Sequence, residues 1–424
     1  MTLIKTSLLN GIAVATKVAC ALVLNKILAL YVGPSGYAVI GQFQNAVAIA
    51  GNLVGNALSP GVTKATAEHF DAPARQHAVW QTALRLSLVA CLLVALPILA
   101  GGADLVRWLL HRDDLSTIYL WIAASLPALA LNNLLLAIAN GKKEVRTYVG
   151  ANIATSLVSL LVTGGLTHVF GLYGTLAASS IGAVLSLGVT AWLITRHGWF
   201  RFAHLWGRLD RGAGRELTGF ALMGLTSAVA LPMSQILIRD ILVSHTGLAT
   251  AGLWQASTKI SELYLMLITT TLAVYYLPRI AEIRTGAELR REVFKVYRLV
   301  LPVTIAGALV IFLLRDFIVQ VLFAADFAPM RALFPWQLTG DVIKIGSWVL
   351  GYIMLGRAMV RVFILTEILF SASLVTLSWC LVRQYGVIGA PMGYALNYAL
   401  YWIAMALFVR KEISRLPPEQ REAT

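Results

Sequence analysis

Long apolar runs broken by short polar turns set the pattern of this chain from end to end. Each run is long enough for a helix rising 1.5 Å per residue to cross a hydrocarbon layer about 30 Å thick. The pattern predicts about twelve transmembrane helices, at 8–31, 37–59, 78–101, 116–138, 147–170, 173–195, 217–244, 250–277, 294–314, 334–355, 362–383 and 388–409. An all-α, polytopic membrane protein follows. The first run carries Lys17 and Lys26 and lacks a compact apolar segment ending in a small-residue cleavage site, so it is expected to be a span and not a cleaved leader.

The turns repeat. Gly33 matches Gly247 at an offset of about 214 residues, while Gly141, Arg146, Gly171 and Gly174 match Gly356, Arg361, Gly386 and Gly389 at about 215. Asp104-Leu105-Val106 resembles Asp316-Phe317-Ile318. Two six-helix bundles are therefore expected, at 1–210 and 211–424. Six is even, so both enter the membrane in the same sense, as parallel repeats that typically enclose a substrate path where they meet. The basic and aromatic stretch 196–215 becomes the connector, lying along the inner leaflet or solvated.

Composition agrees: 58% of residues are hydrophobic and 13% charged, with a mean hydropathy of +0.76. The net charge of +14 does not point to nucleic acid, because the basic residues fall in short loops between spans. Loops on one side hold 21 Lys and Arg; the other side holds Arg107, Arg112, Arg315, Arg331 and Arg383. By the positive-inside rule, the basic side and both termini are cytoplasmic.

Polar groups at membrane depth are costly and mark function or structural pairing. The bases in question are Lys17, Lys26, Arg85, Arg239, Lys259 and Lys344; the acids are Asp240, Glu262, Asp341 and Glu367. Arg85, Arg239 and Asp240 lie close enough to span ends to snorkel, and Lys26 can do the same toward the outside. Lys17 is near mid-span and is expected to face a cavity. Gln255, Thr258, Lys259 and Glu262 form one stripe at helical spacing, and Gln337, Asp341 and Lys344 form another. Each stripe contains an acid and a base three residues apart, which reads equally as a binding surface or a self-neutralised pair. In the second span Gln42, Asn45, Asn52, Asn56 and Ser59 share one face, suited to sugar hydroxyls or to interhelical packing. Pro232 frees a backbone carbonyl and marks a kink or hinge.

The chain contains no phosphate-binding G-x-x-x-x-G-K-[ST] loop. Cys20, Cys91 and Cys380 are far apart in apolar runs, and the seven histidines form no metal-ligand spacing, so no cofactor or metal is expected. The outside loops, near 102–115 and 315–333, are short for an active site, which disfavours an enzyme.

Several strings resemble a known family. They are Trp254-Gln255 with Ser257, Ile260-Ser261 and Tyr264-Leu265; Leu313-Leu314-Arg315-Asp316-Phe317; and Trp336-Gln337-Leu338, Gly340-Asp341-Val342 and Lys344. With the glycine turns, they make the whole chain similar to the Wzx-type polysaccharide flippases of the multidrug/oligosaccharidyl-lipid/polysaccharide (MOP) exporter superfamily, most of all to its lipid III branch, which serves enterobacterial common antigen synthesis. The resemblance implies a bacterial inner-membrane protein that moves an undecaprenyl-pyrophosphate-linked glycan, lipid III or an O-antigen unit, from the cytoplasmic to the periplasmic leaflet. It also implies polysaccharide polymerase and chain-length proteins as partners beside the membrane lipids. The substrate-binding set is then Lys17, Lys26, Gln42, Asn45, Asn52, Asn56, Arg239, Gln255, Lys259 and Lys344, and the ion-coupling set is Glu262, Asp341 and Glu367.

The rivals are a cation-coupled multidrug exporter of the same superfamily, a membrane glycan polymerase or ligase, and a channel or scaffold in an assembly complex. Six intramembrane bases against four acids disfavour cationic cargo. Reporter fusions after Arg146, Arg215 and Arg284 are expected to report the cytoplasm, and fusions near Asp113 and Asp326 the periplasm. A cytoplasmic signal at Asp113 contradicts the orientation.

Overall fold

A computed structural model describes residues 3–207, 209–357 and 359–417. Among them the regular structure is helical, with no strand. Compactness divides the chain into two units, Met1–Met233 and Ser234–Thr424.

The first unit contains α1 (Leu3–Val54), α2 (Ser59–Glu68), α3 (Pro73–Leu110), α4 (Ile118–Gly141), α5 (Val145–Thr195) and the start of α6 (Arg211–Thr246). The second contains the rest of α6, α7 (Leu248–Thr271), α8 (Leu277–Glu282), α9 (Gly286–Leu313), α10 (Arg315–Leu322), α11 (Phe334–Gly356), α12 (Val360–Tyr385) and α13 (Gly389–Arg415). The division falls inside α6, whereas the sequence pattern places the boundary before it. Among the described residues eight helical stretches are long and apolar enough to cross a membrane. That figure joins helices that bend: α1 breaks at Gly33 and α5 at Gly171, and the stretch Val360–Arg415 contains both α12 and α13. It also leaves out α7, whose polar stripe lowers its hydropathy.

Glycine makes several of the helix breaks and turns possible. Gly33 (φ 63°, ψ −176°) and Gly247 (φ 91°) take conformations closed to residues with a Cβ, as do Gly171 (φ 57°, ψ −135°) and Gly386 (φ 59°, ψ −143°). These are the pairs the repeat aligns, and each pair shares a backbone geometry. Between α3 and α4 the turn is fastened differently. Arg112 donates to both oxygens of Asp114 at 2.7 Å and holds that carboxyl below the usual carboxylate range.

One end of the first unit closes over a buried core of Val62, Trp80, Leu134, Ile138, Phe200 and Leu205. Phe200 and Leu205 belong to the connector, which is therefore docked on the bundle, while Trp206 stays 71% exposed. Trp80 donates its indole N–H to Thr66 at 2.9 Å. His77 and His204 stack with ring centroids 4.1 Å apart. Lys142 donates to Gln76 at 2.7 Å and stands over the rings of Phe70 and Trp199. Burial lowers its ammonium below the usual lysine value, against the opposing pull of Asp71 and Glu144.

Pro232 supplies no N–H, so the carbonyl four residues earlier, on Ala228, has no helical partner. Asn52 of α1 fills the gap, its amide donating to that oxygen at 3.1 Å. Asn56 in turn donates to Asn52 at 2.9 Å. Asn52→Ala is expected to cost about 1–3 kcal/mol by stranding the Ala228 carbonyl, and much less in a Pro232→Ala background, where the backbone N–H returns. Equal losses in both backgrounds, measured by thermal unfolding in detergent, contradict this. Gly33→Val and Gly247→Val are each expected to cost about 1–3 kcal/mol in the same assay; unchanged melting of both removes the strain argument.

Candidate functional site

The second unit gathers most of the intramembrane charge. Asp341 of α11 is fully buried. Its oxygens accept from the hydroxyl of Tyr264 on α7 at 3.0 Å, the hydroxyl of Tyr394 on α13 at 2.9 Å, and the amide of Gln337, one turn back, at 3.4 Å. Three neutral donors from three helices thus surround one carboxylate, which is how a buried charge is accommodated without an opposite charge in contact.

Lys344 lies three residues further along α11, yet no ion pair joins it to a carboxylate among the described residues. Its ammonium instead stands over three rings: Trp348 at 4.8 Å, Tyr398 at 5.4 Å and Tyr394 at 5.6 Å from the ring centroids. Tyr394 serves both charges, its hydroxyl on Asp341 and its ring beneath Lys344. Each cation–π contact is worth about 0.5–2 kcal/mol, by electrostatic attraction to the ring face. Neither Tyr394, Tyr398 nor Trp348 stands out in a hydropathy reading, where aromatic residues count as apolar filling. The legible signal is the spacing of Tyr394, Tyr398 and Tyr401, which puts three rings on one face of α13.

The other stripe behaves differently. Lys259 and Glu262 on α7 form a direct ion pair at 3.0 Å, with side chains 30% and 43% exposed. Arg239 of α6 is buried, donates to the carbonyl oxygen of the Gln255 side chain and stands 5.5 Å from the Trp254 ring centroid. Glu367 is half-buried on α12.

In the first unit Lys17 is exposed on α1 and Lys26 half-buried. Gln42 is buried, and the buried amide nitrogen of Asn45 has no hydrogen-bond partner among the described residues. Asn52 and Asn56 form the chain that ends on Ala228. Asn25, which polar-face counting passes over, is buried and accepts from Tyr37 at 2.8 Å across the Gly33 break. Among the described residues no cluster of His, Cys, Asp or Glu is arranged to hold a metal ion.

Comparison with known proteins matches this architecture. A family described as "Polysaccharide biosynthesis protein" matches residues 4–284. The chain is 30% identical over 402 residues to the Lipid III flippase of Escherichia coli (strain K12), covering 95% of this chain and 97% of that one. The Lipid III flippase of Shigella flexneri matches to the same extent. Among solved structures, an inward-facing multidrug resistance MATE family transporter of the MOP superfamily superimposes with a TM-score of 0.81 at 14% identity, over 94% of both chains. An outward-facing MATE family transporter of that superfamily gives 0.71 at 16%, over 97% of this chain and 96% of the other. At such low identity these structures show the fold alone, an all-α, multi-pass membrane architecture. With a family match over more than half its length and flippase relatives aligned almost end to end, the chain belongs to the polysaccharide biosynthesis protein family.

Proposed function

We propose that this protein is a bacterial inner-membrane flippase, moving an undecaprenyl-pyrophosphate-linked oligosaccharide from the cytoplasmic to the periplasmic leaflet by alternating access, without making or breaking a covalent bond. The observation that carries the reading is the 30% identity to two lipid III flippases over 95% of the chain. In this reading the arms of α1 and α5 are separate crossings, so the chain crosses twelve times in two six-helix bundles and both termini are cytoplasmic. The second bundle then starts with α6, so the repeat and not local compactness defines the lobes.

In this reading Lys17, Lys26, Arg239, Lys259 and Lys344 form the cationic binding set for the pyrophosphate, and Gln42, Asn45, Asn52, Asn56 and Gln255 supply amides for the glycan. Lys344 is the best prepared of the bases. Its ammonium rests on rings, and charge-assisted hydrogen bonds to phosphate oxygens are stronger than such contacts. When phosphate draws that charge away, Asp341 loses a positive neighbour and becomes a better site for a proton or Na⁺. Glu262 and Glu367 complete the coupling set. Polysaccharide polymerase and chain-length proteins are the partners this function would bring.

Deletion of the gene is expected to make one lipid-linked oligosaccharide accumulate on the cytoplasmic leaflet; accumulation on the periplasmic side instead points to a polymerase and contradicts the reading. Lys17→Ala is expected to reduce flipping at least tenfold at normal protein level, with Lys17→Arg retaining part of it. Wild-type activity in Lys17→Ala removes Lys17 from the binding set. Coupling predicts that an imposed pH or Na⁺ gradient accelerates flipping by wild type in proteoliposomes, and that Asp341→Asn or Glu262→Gln abolishes the acceleration. Indifference of the wild type to both gradients refutes it.

A further inference from the structure

The first unit contains a cavity of about 290 Å³ that the charges above do not account for. Its walls come from α1, α4 and both arms of α5. Thr155, Ser159 and Thr163 line it at intervals of four residues along the first arm, and Ser179 and Ser186 line it seven residues apart on the second. Such spacing sets each group of hydroxyls on one helix face. The break at Gly171 folds the arms back on each other, so the two hydroxyl faces meet across open space. Gln44 and Asn132 add amides, and Leu24, Phe43 and Leu129 add an apolar floor.

Serine and threonine in membrane helices ordinarily bond back to their own helix or across to a neighbour. Here several do neither. Thr163 and Ser186 are more than nine-tenths buried, yet neither hydroxyl has a hydrogen-bond partner among the described residues. The Oγ1 of Thr155 and the Oδ1 of Asn132 are likewise buried and unpartnered. A buried polar atom without a partner costs about 1–3 kcal/mol, so the Thr155 and Asn132 oxygens, with the unbonded hydroxyls of Thr163 and Ser186 beside them, form a site prepared for a polar guest.

Among the described residues no ionisable side chain lines the cavity, so it does not suit a pyrophosphate. Its volume is roughly ten times that of one water and stands at the small end of ligand sites. Mixed hydroxyl donors and acceptors over an apolar floor match the rim and face of a sugar ring. Gln44 and Ser179 are exposed at the edge, which leaves the cavity open.

We propose that this cavity is a subsite for one neutral sugar residue of the cargo, separate from the groups that grip the pyrophosphate. The proposal rests on the flippase reading and assigns the first bundle a role in glycan selection.

Its test uses the full chain in proteoliposomes, carrying Ser159→Cys with Cys20, Cys91 and Cys380 replaced by alanine. The rate of labelling by a small neutral maleimide is measured with the lipid-linked oligosaccharide bound and with sugar-free undecaprenyl pyrophosphate bound. The glycan-bearing lipid is expected to slow labelling at least fivefold and the sugar-free lipid to leave it unchanged. Equal protection by both, or by neither, overturns the subsite. Flipping is read in parallel without the maleimide. Transport without protection sinks the subsite alone; absence of transport by wild type sinks the flippase reading and the subsite with it. Thr155→Val and Ser186→Ala are expected to raise the lipid-linked oligosaccharide concentration for half-maximal flipping about tenfold, with inhibition by the sugar-free lipid unaltered. A parallel shift in both quantities shows a structural effect and counts against the subsite.

Discussion

The hydrocarbon core of a bilayer offers no water to a polar atom, so each such atom must find its partner within the protein. The helices satisfy most of the backbone. Where helical bonding is interrupted, the repair is local. Pro232 exposes the Ala228 carbonyl, and a side-chain amide from α1 covers it. The breaks at Gly33, Gly171, Gly247 and Gly386 are made with glycine, at conformations no other residue enters cheaply. The same demand shapes the charged sites, where desolvation costs most.

Two acid–base pairs with equal sequence separation meet that demand in opposite ways. Lys259 and Glu262 are partly exposed and have long side chains, so they close on each other. Asp341 has a single methylene and is fully buried. Its carboxylate stays close to α11, within reach of Tyr264 and Tyr394, and Lys344 extends onto the aromatic faces instead. One pair is closed. In the other, both charges are held by groups that carry no net charge, an arrangement a phosphate or a cation can enter without first breaking a salt bridge.

Much of the architecture was legible in the sequence because membrane insertion writes it in composition: long apolar runs, short polar loops and glycine turns. The matched geometries of Gly33 with Gly247, and of Gly171 with Gly386, had a sequence signal in their common offset. Helix stripes named the residues of the charged cluster but not its contacts. Periodicity places Asp341 and Lys344 on one face of one helix, whereas their partners come from α7 and α13 through tertiary packing. Tyr394 and Tyr398 carry no such mark, because a ring reads as apolar whether or not its face holds a cation. Thr155, Ser159 and Thr163 resemble ordinary helix-packing residues until the fold leaves space in front of them. Asn52 shows the reverse: its amide suggests a ligand, and its bond is to the backbone next to a proline.

The account turns on Asp341 and Lys344 being separately held charges and not a structural pair. Reversing both, with Asp341→Lys and Lys344→Asp in one chain, tests this most directly when flipping of the lipid-linked oligosaccharide is compared with that of the wild type at matched levels of folded protein. The account predicts that the α11 reversal loses its activity, because a lysine at 341 meets hydroxyl donors and an aspartate at 344 meets ring faces. Full activity in the α11 reversal would contradict it and make the two charges an interchangeable pair.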